Sequence, residues 1–298
     1  MPYRQSDASP GDYMLAFPQY LLPGHLISRL TLWVTRRRSN WFKNALMKWF
    51  IKRFNVDMSQ AQEPDYHRYE HFNAFFTRAL KDGMRPIADG DDVLCCPVDG
   101  AVSQVGKIHE GTIFQAKRHD YSALYLLGGY PELANEFQQG RFATLYLSPR
   151  DYHRIHMPVT GTLKQMIYVP GRLFSVNPQT TRCIPGLFAR NERVVTLFDT
   201  EFGLMAMVLV GAINVGCIET VWHGVVTPPH KQPVRRWVYE GHEAIVLNKG
   251  DEMGRFNMGS TVVCLFANEQ LQFDAAFEPF ASIQMGQAFL RSTQQDNR

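Results

Sequence analysis

Three short stretches of this chain set reactive side chains where turn signals meet strand-forming runs. The first, Cys96-Pro-Val-Asp-Gly-Ala101, carries Asp99 directly before a glycine. The second, Leu147-Ser-Pro-Arg-Asp-Tyr-His-Arg-Ile-His-Met-Pro158, carries His153 and His156 three residues apart. The third, Gly254-Arg-Phe-Asn-Met-Gly-Ser-Thr-Val-Val-Cys-Leu-Phe266, sets Gly259 and Ser260 against an apolar run. Together they supply a carboxylate, an imidazole and a hydroxyl. A nucleophilic serine needs that set: the imidazole takes its proton, and the carboxylate fixes the imidazole tautomer. Each stretch also has an ordinary reading. Asp-Gly is most often a turn, the histidines can sit on an exposed strand edge, and Ser-Thr before Val-Val can be a turn hydroxyl. The chain has no G-x-S-x-G elbow, which disfavours an α/β-hydrolase.

Metal chemistry is not indicated. His67 and His71 are four apart but lack the glutamate of H-E-x-x-H, so they read as a solvated helix face, and His153 and His156 lack an evident third ligand. Five cysteines, odd in number and with no C-x-x-C pair, argue against a disulfide framework or zinc knuckle and for a reducing compartment. No glycine-rich phosphate loop occurs. A net charge of +3 gives no reason to expect a nucleic-acid partner.

The elements that must position these residues are mostly strands. The apolar fraction of 45% and charged fraction of 20% are those of a folded protein. From Val93 onward, runs rich in Val, Ile, Thr, Phe and Tyr alternate with Gly and Pro turns. Strands are expected over Phe142–Leu147, Thr162–Tyr168, Val194–Phe198, Leu204–Val210, Val215–Thr220, Glu243–Leu247 and Ser260–Phe266. Asp65–Leu80 and Glu132–Gln139 read as helices, and Ser292–Arg298 as a frayed tail. The fold class is α+β: a β-rich core of antiparallel sheets, sandwich- or barrel-like, with helices gathered at the N-terminus. We divide the chain into residues 1–60 and residues 61–298.

Residues 1–60 have their own character. Between Asp12 and Asp57 there is no acidic residue, yet the stretch holds eight Arg and Lys and three of the five tryptophans, Trp33, Trp41 and Trp49. At helical spacing Phe42, Ala45, Leu46 and Trp49 share a face, with Phe50 at its edge and Lys48 and Lys52 on its flank. Leu26, Ile27, Leu30, Trp33 and Val34 form a second stripe. Basic flanks, tryptophans and an apolar stripe describe helices lying on anionic lipid. Helices packed on the domain with solvated lysines are the competing reading. The start has no signal-peptide pattern, and no apolar stretch reaches the roughly 18–20 residues of a membrane span. A peripheral protein on the cytoplasmic face of the membrane is expected.

Seven stretches together resemble bacterial phosphatidylserine decarboxylases, a pyruvoyl-dependent family: FNAFFTR (72–78), PVDG (97–100), YLSPRDYHRIHMP (146–158), YVPGRLFSVN (168–177), LFARNERV (187–194), IETVW (218–222) and EMGRFNMGST (252–261). The resemblance covers nearly the whole chain. One departure is Met258 where the family has Leu. The resemblance implies that the Gly259–Ser260 bond cleaves itself, giving chains 1–259 and 260–298 that stay together as a heterodimer, with further dimerisation left open. It implies that Ser260 becomes a covalent pyruvoyl cofactor, that His156 is the base for Ser260, and that Asp99 orients His156. Decarboxylation of phosphatidylserine would then run through a Schiff base on that group. His153 is the candidate to return a proton to the α-carbon and touch the substrate. Arg150, Arg154 and Arg172 are candidates for the lipid phosphate. Two other readings stand beside this one: an uncleaved serine esterase using Ser260, His156 and Asp99, and a non-catalytic peripheral membrane scaffold.

Overall fold

The computed structural model describes residues 8–116, 119–213, 217–227, 232–259 and 261–293. Its centre is the strand Thr261–Phe266, every residue of which is buried. TVVCLF is an unbroken run of β-branched and apolar residues. Such a run suits a strand covered on both faces. It pairs antiparallel with Gly203–Val210 on one side and Arg141–Tyr146 on the other, six residue pairs each. Outward from these lie Arg193–Thr200, Gly161–Val169 and Arg235–Val238 in one direction, and Gly100–Lys107 and Ser282–Ile283 in the other. Ile245–Leu247 also joins Gly161–Val169, which completes nine strands.

A second sheet of four strands has the order Gly224–Val225, Ile218–Thr220, Glu252–Phe256 and Arg154–His156. The chain passes between the two sheets six times, and two of these crossings frame the site. One leaves the large sheet at Tyr146 and enters the small one at Arg154; the other leaves the small sheet at Phe256 and enters the large one at Thr261. The crossings are tied by the Phe256 amide, which donates to the His153 carbonyl at 3.1 Å.

The antiparallel β-rich core with N-terminal helices is as the sequence predicts, and the strand bounds agree within a few residues. The sheets do not close into a barrel: the edge strands of the large sheet, Arg235–Val238 and Ser282–Ile283, are not paired with each other. The strand expected at Val215–Thr220 is observed as Ile218–Thr220, and its start lies outside the described residues. Ser292 ends the strand Ala288–Ser292 rather than beginning a tail, and its amide donates to the Asp92 carbonyl.

Asp65–Leu80 is not one helix. It forms a 3₁₀ turn at Tyr66–Arg68 and a short helix at Phe72–Phe76, with extended backbone at Tyr69 and His71 between them. Two side chains impose the break. Asp65 accepts from the His67 amide, and His71 Nδ1 accepts from the Ala74 amide, so each starts a new turn. The break lets Phe72, Phe75 and Phe76 all reach a buried aromatic cluster with Met47, Phe50 and Val56.

That cluster also sets the face of the helix Asn40–Phe54. It buries Lys43, Met47 and Phe50, not the stripe built on Phe42, Ala45, Leu46 and Trp49. Lys43 is accommodated because its ammonium donates to the His67 carbonyl at 2.7 Å and to Asn44 Oδ1. Trp41 and Trp49 are left 81% and 56% exposed. The preceding helix, Gly24–Thr35, exposes Leu26, Leu30 and Trp33. No helix among the described residues is long and apolar enough to cross a membrane.

Candidate active site

Gly259 lies in the second crossing, between a residue fixed in each sheet. Before it, the Asn257 amide donates to the Cys217 carbonyl at 2.9 Å. After it, Thr261 pairs with both Tyr146 and Val210. Ser260 lies outside the described residues. Gly259 does not have a positive φ, and a Cβ built on it would sit 3.6 Å from His153 Nε2 and 3.8 Å from the Leu147 carbonyl oxygen, ordinary contact distances. The unusual backbone is one residue earlier: Met258 has φ of 109°. Glycine at position 259 therefore leaves the face toward His153 uncovered; it is not required by the resting backbone angle.

His153 is fully buried and packs tilted against Phe76, with ring centroids 4.1 Å apart. Its Nδ1–H donates to the Asp151 carbonyl at 2.8 Å. That bond fixes the tautomer and leaves Nε2 with a lone pair. Nε2 is enclosed and has no hydrogen-bond partner among the described residues. Burial pushes the imidazole pKa down to about 3, with the nearby Arg78 guanidinium acting in the same direction against the Asp151 bond. At neutral pH the ring is thus an uncharged base aimed at the crossing.

His156 has the same tautomer but no free nitrogen. Nδ1–H donates to the Gly250 carbonyl at 2.7 Å, and Nε2 accepts from the Tyr152 hydroxyl at 3.0 Å. Burial lowers its pKa as well. Asp99 is held by Arg85 Nε, which reaches both carboxylate oxygens at 2.9 and 3.1 Å, and by the Met285 amide at 2.8 Å. Among the described residues no hydrogen bond joins Asp99 to His156. Tyr152 stands between them. It lines a polar cavity of about 210 Å³ together with Asp99, Arg85 and Arg78, while its hydroxyl reaches His156. The acid–imidazole couple of a resting hydrolase triad is therefore not assembled.

The glycine after Asp99 is not at an open turn. Gly100 begins a strand with φ of 150°, and a Cβ there would lie 2.2 Å from the Tyr146 carbonyl oxygen. Only glycine lets the Asp99 segment approach the first crossing this closely.

Gly259 also lines a cavity of about 620 Å³, a size typical of small-molecule sites. Its walls are apolar: Leu30 and Val34 from one N-terminal helix, Trp49 and Phe54 from the next, and Phe76 and Leu147 beside Gly259. Of the three arginines suggested for phosphate, Arg154 is committed to Glu252 at 2.8 Å and to the Thr77 carbonyl, and Arg172 reaches the Tyr20 carbonyl at 3.3 Å. Arg150 is exposed, 3.8 Å from Asp151. No three His, Cys, Asp or Glu among the described residues form a metal-holding group.

Sequence reasoning did not single out Tyr152, Arg85, Asn73 or Asn257. Tyr152 sits four residues before His156 in a stretch already under scrutiny, which is a usable signal. Asn257 likewise lies two residues before Gly259 in the third stretch, but its partner Asn73 is 184 residues away, so the sequence does not show what it holds.

Comparison with known proteins gives the family of the chain. The family model described as phosphatidylserine decarboxylase matches residues 72–291, and a second, described as PSD, matches residues 15–55. The chain is 57% identical over 276 residues to the phosphatidylserine decarboxylase proenzyme of Shewanella loihica, covering 92% of this chain and 96% of that one. It is 57% identical over 271 residues to the proenzyme of the same name from Pseudomonas entomophila, covering 90% and 94%. It is 55% identical over 278 residues to that of Pseudomonas aeruginosa, covering 93% and 96%. With buried imidazoles at a sheet crossing and a family match over most of its length, the chain belongs to the phosphatidylserine decarboxylases, a family of carboxy-lyases.

Proposed function

We propose that this chain converts phosphatidylserine to phosphatidylethanolamine and CO₂, using a pyruvoyl group that it makes by cutting its own Gly259–Ser260 bond. The observation that carries this reading is His153 Nε2: a buried, unprotonated nitrogen with no partner among the described residues, facing Gly259, which lines an apolar cavity. A neutral imidazole beside a glycine fits a site where a proton is taken up and then passed to a reacting carbon.

The cleavage balances within the chain. Ser260 Oγ attacks the Gly259 carbonyl carbon, the C–N bond breaks, and the hydroxyl proton passes to the departing nitrogen. Removal of the Ser260 α-proton then breaks Cβ–Oγ and frees the Gly259 carboxylate. The dehydroalanine that remains takes up water and loses ammonia to become the pyruvoyl group. That group supplies an electron sink for the pair left on the substrate α-carbon when CO₂ departs. We assign the return of a proton to that carbon to His153, whose Nε2 first takes the proton that the substrate ammonium must give up and then passes it to the α-carbon. We keep His156, with Asp99, for the proton of Ser260. In the resting chain its Nε2 holds the Tyr152 hydroxyl, so this step requires Tyr152 to turn aside or to carry the proton itself.

The two products of cleavage stay together in this reading. The short chain contributes Thr261–Phe266, buried at the middle of the large sheet, together with Leu271–Phe273 and Ala288–Ser292. The substrate reading also gives the N-terminal helices a task. Leu26, Leu30, Trp33, Trp41 and Trp49 are exposed beside many cationic side chains, and Leu30 and Trp49 also line the cavity. A bilayer meeting these helices on the cytoplasmic face would put lipid at the cavity mouth.

Intact mass under denaturing conditions tests the proposal. We expect one fragment ending at Gly259 and one covering residues 260–298 with a carbonyl-bearing N-terminus that borohydride reduces in the presence of amine. Ser260→Ala is expected to abolish both cleavage and CO₂ release from phosphatidylserine. An unbroken chain of 298 residues with full activity would overturn the pyruvoyl reading.

A further inference from the structure

We infer that the chain stores backbone strain at Met258, held between two fixed anchors, and that this strain drives the cleavage after Gly259. The inference rests on the self-cleavage reading above. Met258 has φ of 109°, a conformation that residues with a Cβ rarely adopt.

What holds it there is specific. Asn257, immediately before, is buried and engaged on every side: its Oδ1 accepts from Asn73 Nδ2 at 2.8 Å, and its Nδ2 donates to Cys217 Sγ at 3.1 Å and to Glu219 Oε2 at 3.2 Å. Its backbone is bonded to Cys217 as well. Thr261, on the far side, is locked between two strands. The Met258 side chain packs against the aromatic cluster of Phe50, Phe72 and Phe76, which draws it toward the N-terminal helices. Neither anchor can move without breaking buried hydrogen bonds, so the mismatch falls on Met258. Cutting the bond after Gly259 turns Met258 and Gly259 into a chain end that can rotate freely. The acyl shift itself begins this release: moving the Gly259 carbonyl from nitrogen to Oγ puts Oγ and Cβ where the nitrogen stood and so lengthens the path between the two anchors by an atom. Part of the strain is thus lost as the C–N bond gives way, and the barrier to that step falls. Asn73 and Asn257 are positioning residues here: they act through Met258 and do not touch the reacting atoms.

Two substitutions separate strain from packing. Met258→Ala and Met258→Gly both remove the thioether side chain, but only alanine keeps the Cβ that resists a positive φ. In cell-free synthesis, with appearance of the 260–298 fragment followed over time, the glycine variant is expected to cleave about tenfold more slowly than the alanine variant. Equal rates, or faster cleavage with glycine, would overturn the inference. The same pair is compared in an uncleavable Ser260→Ala background by urea unfolding. Glycine is expected to give the higher midpoint, the reverse of its usual effect. A lower midpoint for glycine would show that Met258 is not strained, whether or not the chain cleaves. A chain that shows the expected stability order but never cleaves overturns the self-cleavage reading, and with it the link from strain to reaction.

Discussion

The Tyr152 hydroxyl donates to His156 Nε2 across 3.0 Å, in a site where the other ring nitrogen is already bonded to the Gly250 carbonyl. Both residues are buried, and burial pushes the phenol pKa up to about 12. The phenol therefore stays protonated at neutral pH and serves as donor. Replacing Tyr152 with Phe keeps the ring and removes only the donor, leaving a buried acceptor unpaired. The expected cost is about 1–3 kcal/mol in an uncleaved Ser260→Ala precursor, read from the urea midpoint. A change within about 0.5 kcal/mol, the range of neutral surface substitutions, would mean that this bond does not hold His156 in place.

Acid should destabilise the precursor through His153. Burial holds its folded pKa at about 3, against about 6.5 for a free histidine. Between those values the unfolded chain binds a proton that the folded chain does not. Stability from this group is therefore complete above about pH 6.5 and is lost as pH falls toward 3, at about 1.4 kcal/mol per pH unit. His156 is shifted in the same direction by burial and adds to the slope. His153→Gln in the Ser260→Ala background should lower the slope across this window by about one proton's worth. Identical slopes in the two proteins would rule out a neutral, buried His153.

The contrast between legible and hidden features has a physical origin. Thr261–Phe266 was readable because a strand covered on both faces needs an unbroken apolar run, and Leu204–Val210 was readable for the same reason. The stretches holding Asp99, His153 and Gly259 were readable because their residue types are costly to place without a use. Asp65–Leu80 misled because helical spacing cannot reveal that Asp65 and His71 cap two separate turns. The stripe on Asn40–Phe54 misled because Lys43 finds a carbonyl from residue 67, a contact that no local pattern encodes. The Asn73–Asn257 bond joins residues 184 apart in sequence. The backbone of Met258 depends on that bond and on the sheet beyond it, so no reading of the heptapeptide around it would find the positive φ.

The packing of Asn40–Phe54 leads to the remaining prediction. Because Lys43, Met47 and Phe50 face the aromatic cluster, Trp41 and Trp49 project into solvent, near Lys48, Lys52 and Arg53 on the same helix. Trp41 stands clear of the core, while Trp49 packs one edge against Phe50 and Phe54 and turns the rest of its ring outward, so both offer apolar surface to a partner. An interfacial role requires them to enter the headgroup region while the cations meet anionic lipid. Trp41→Ala combined with Trp49→Ala should weaken flotation with phosphatidylserine-containing vesicles by about tenfold or more, since burying one large apolar side chain contributes about 1.5–3 kcal/mol. Losing the Trp49 edges against Phe50 and Phe54 should cost folding about 1–3 kcal/mol, so flotation is compared where both proteins are folded. Raising salt should weaken binding of both proteins by screening the cations, leaving the difference between them intact. Unchanged flotation in the double variant would remove the tryptophans from the interface and leave attraction by the basic residues alone.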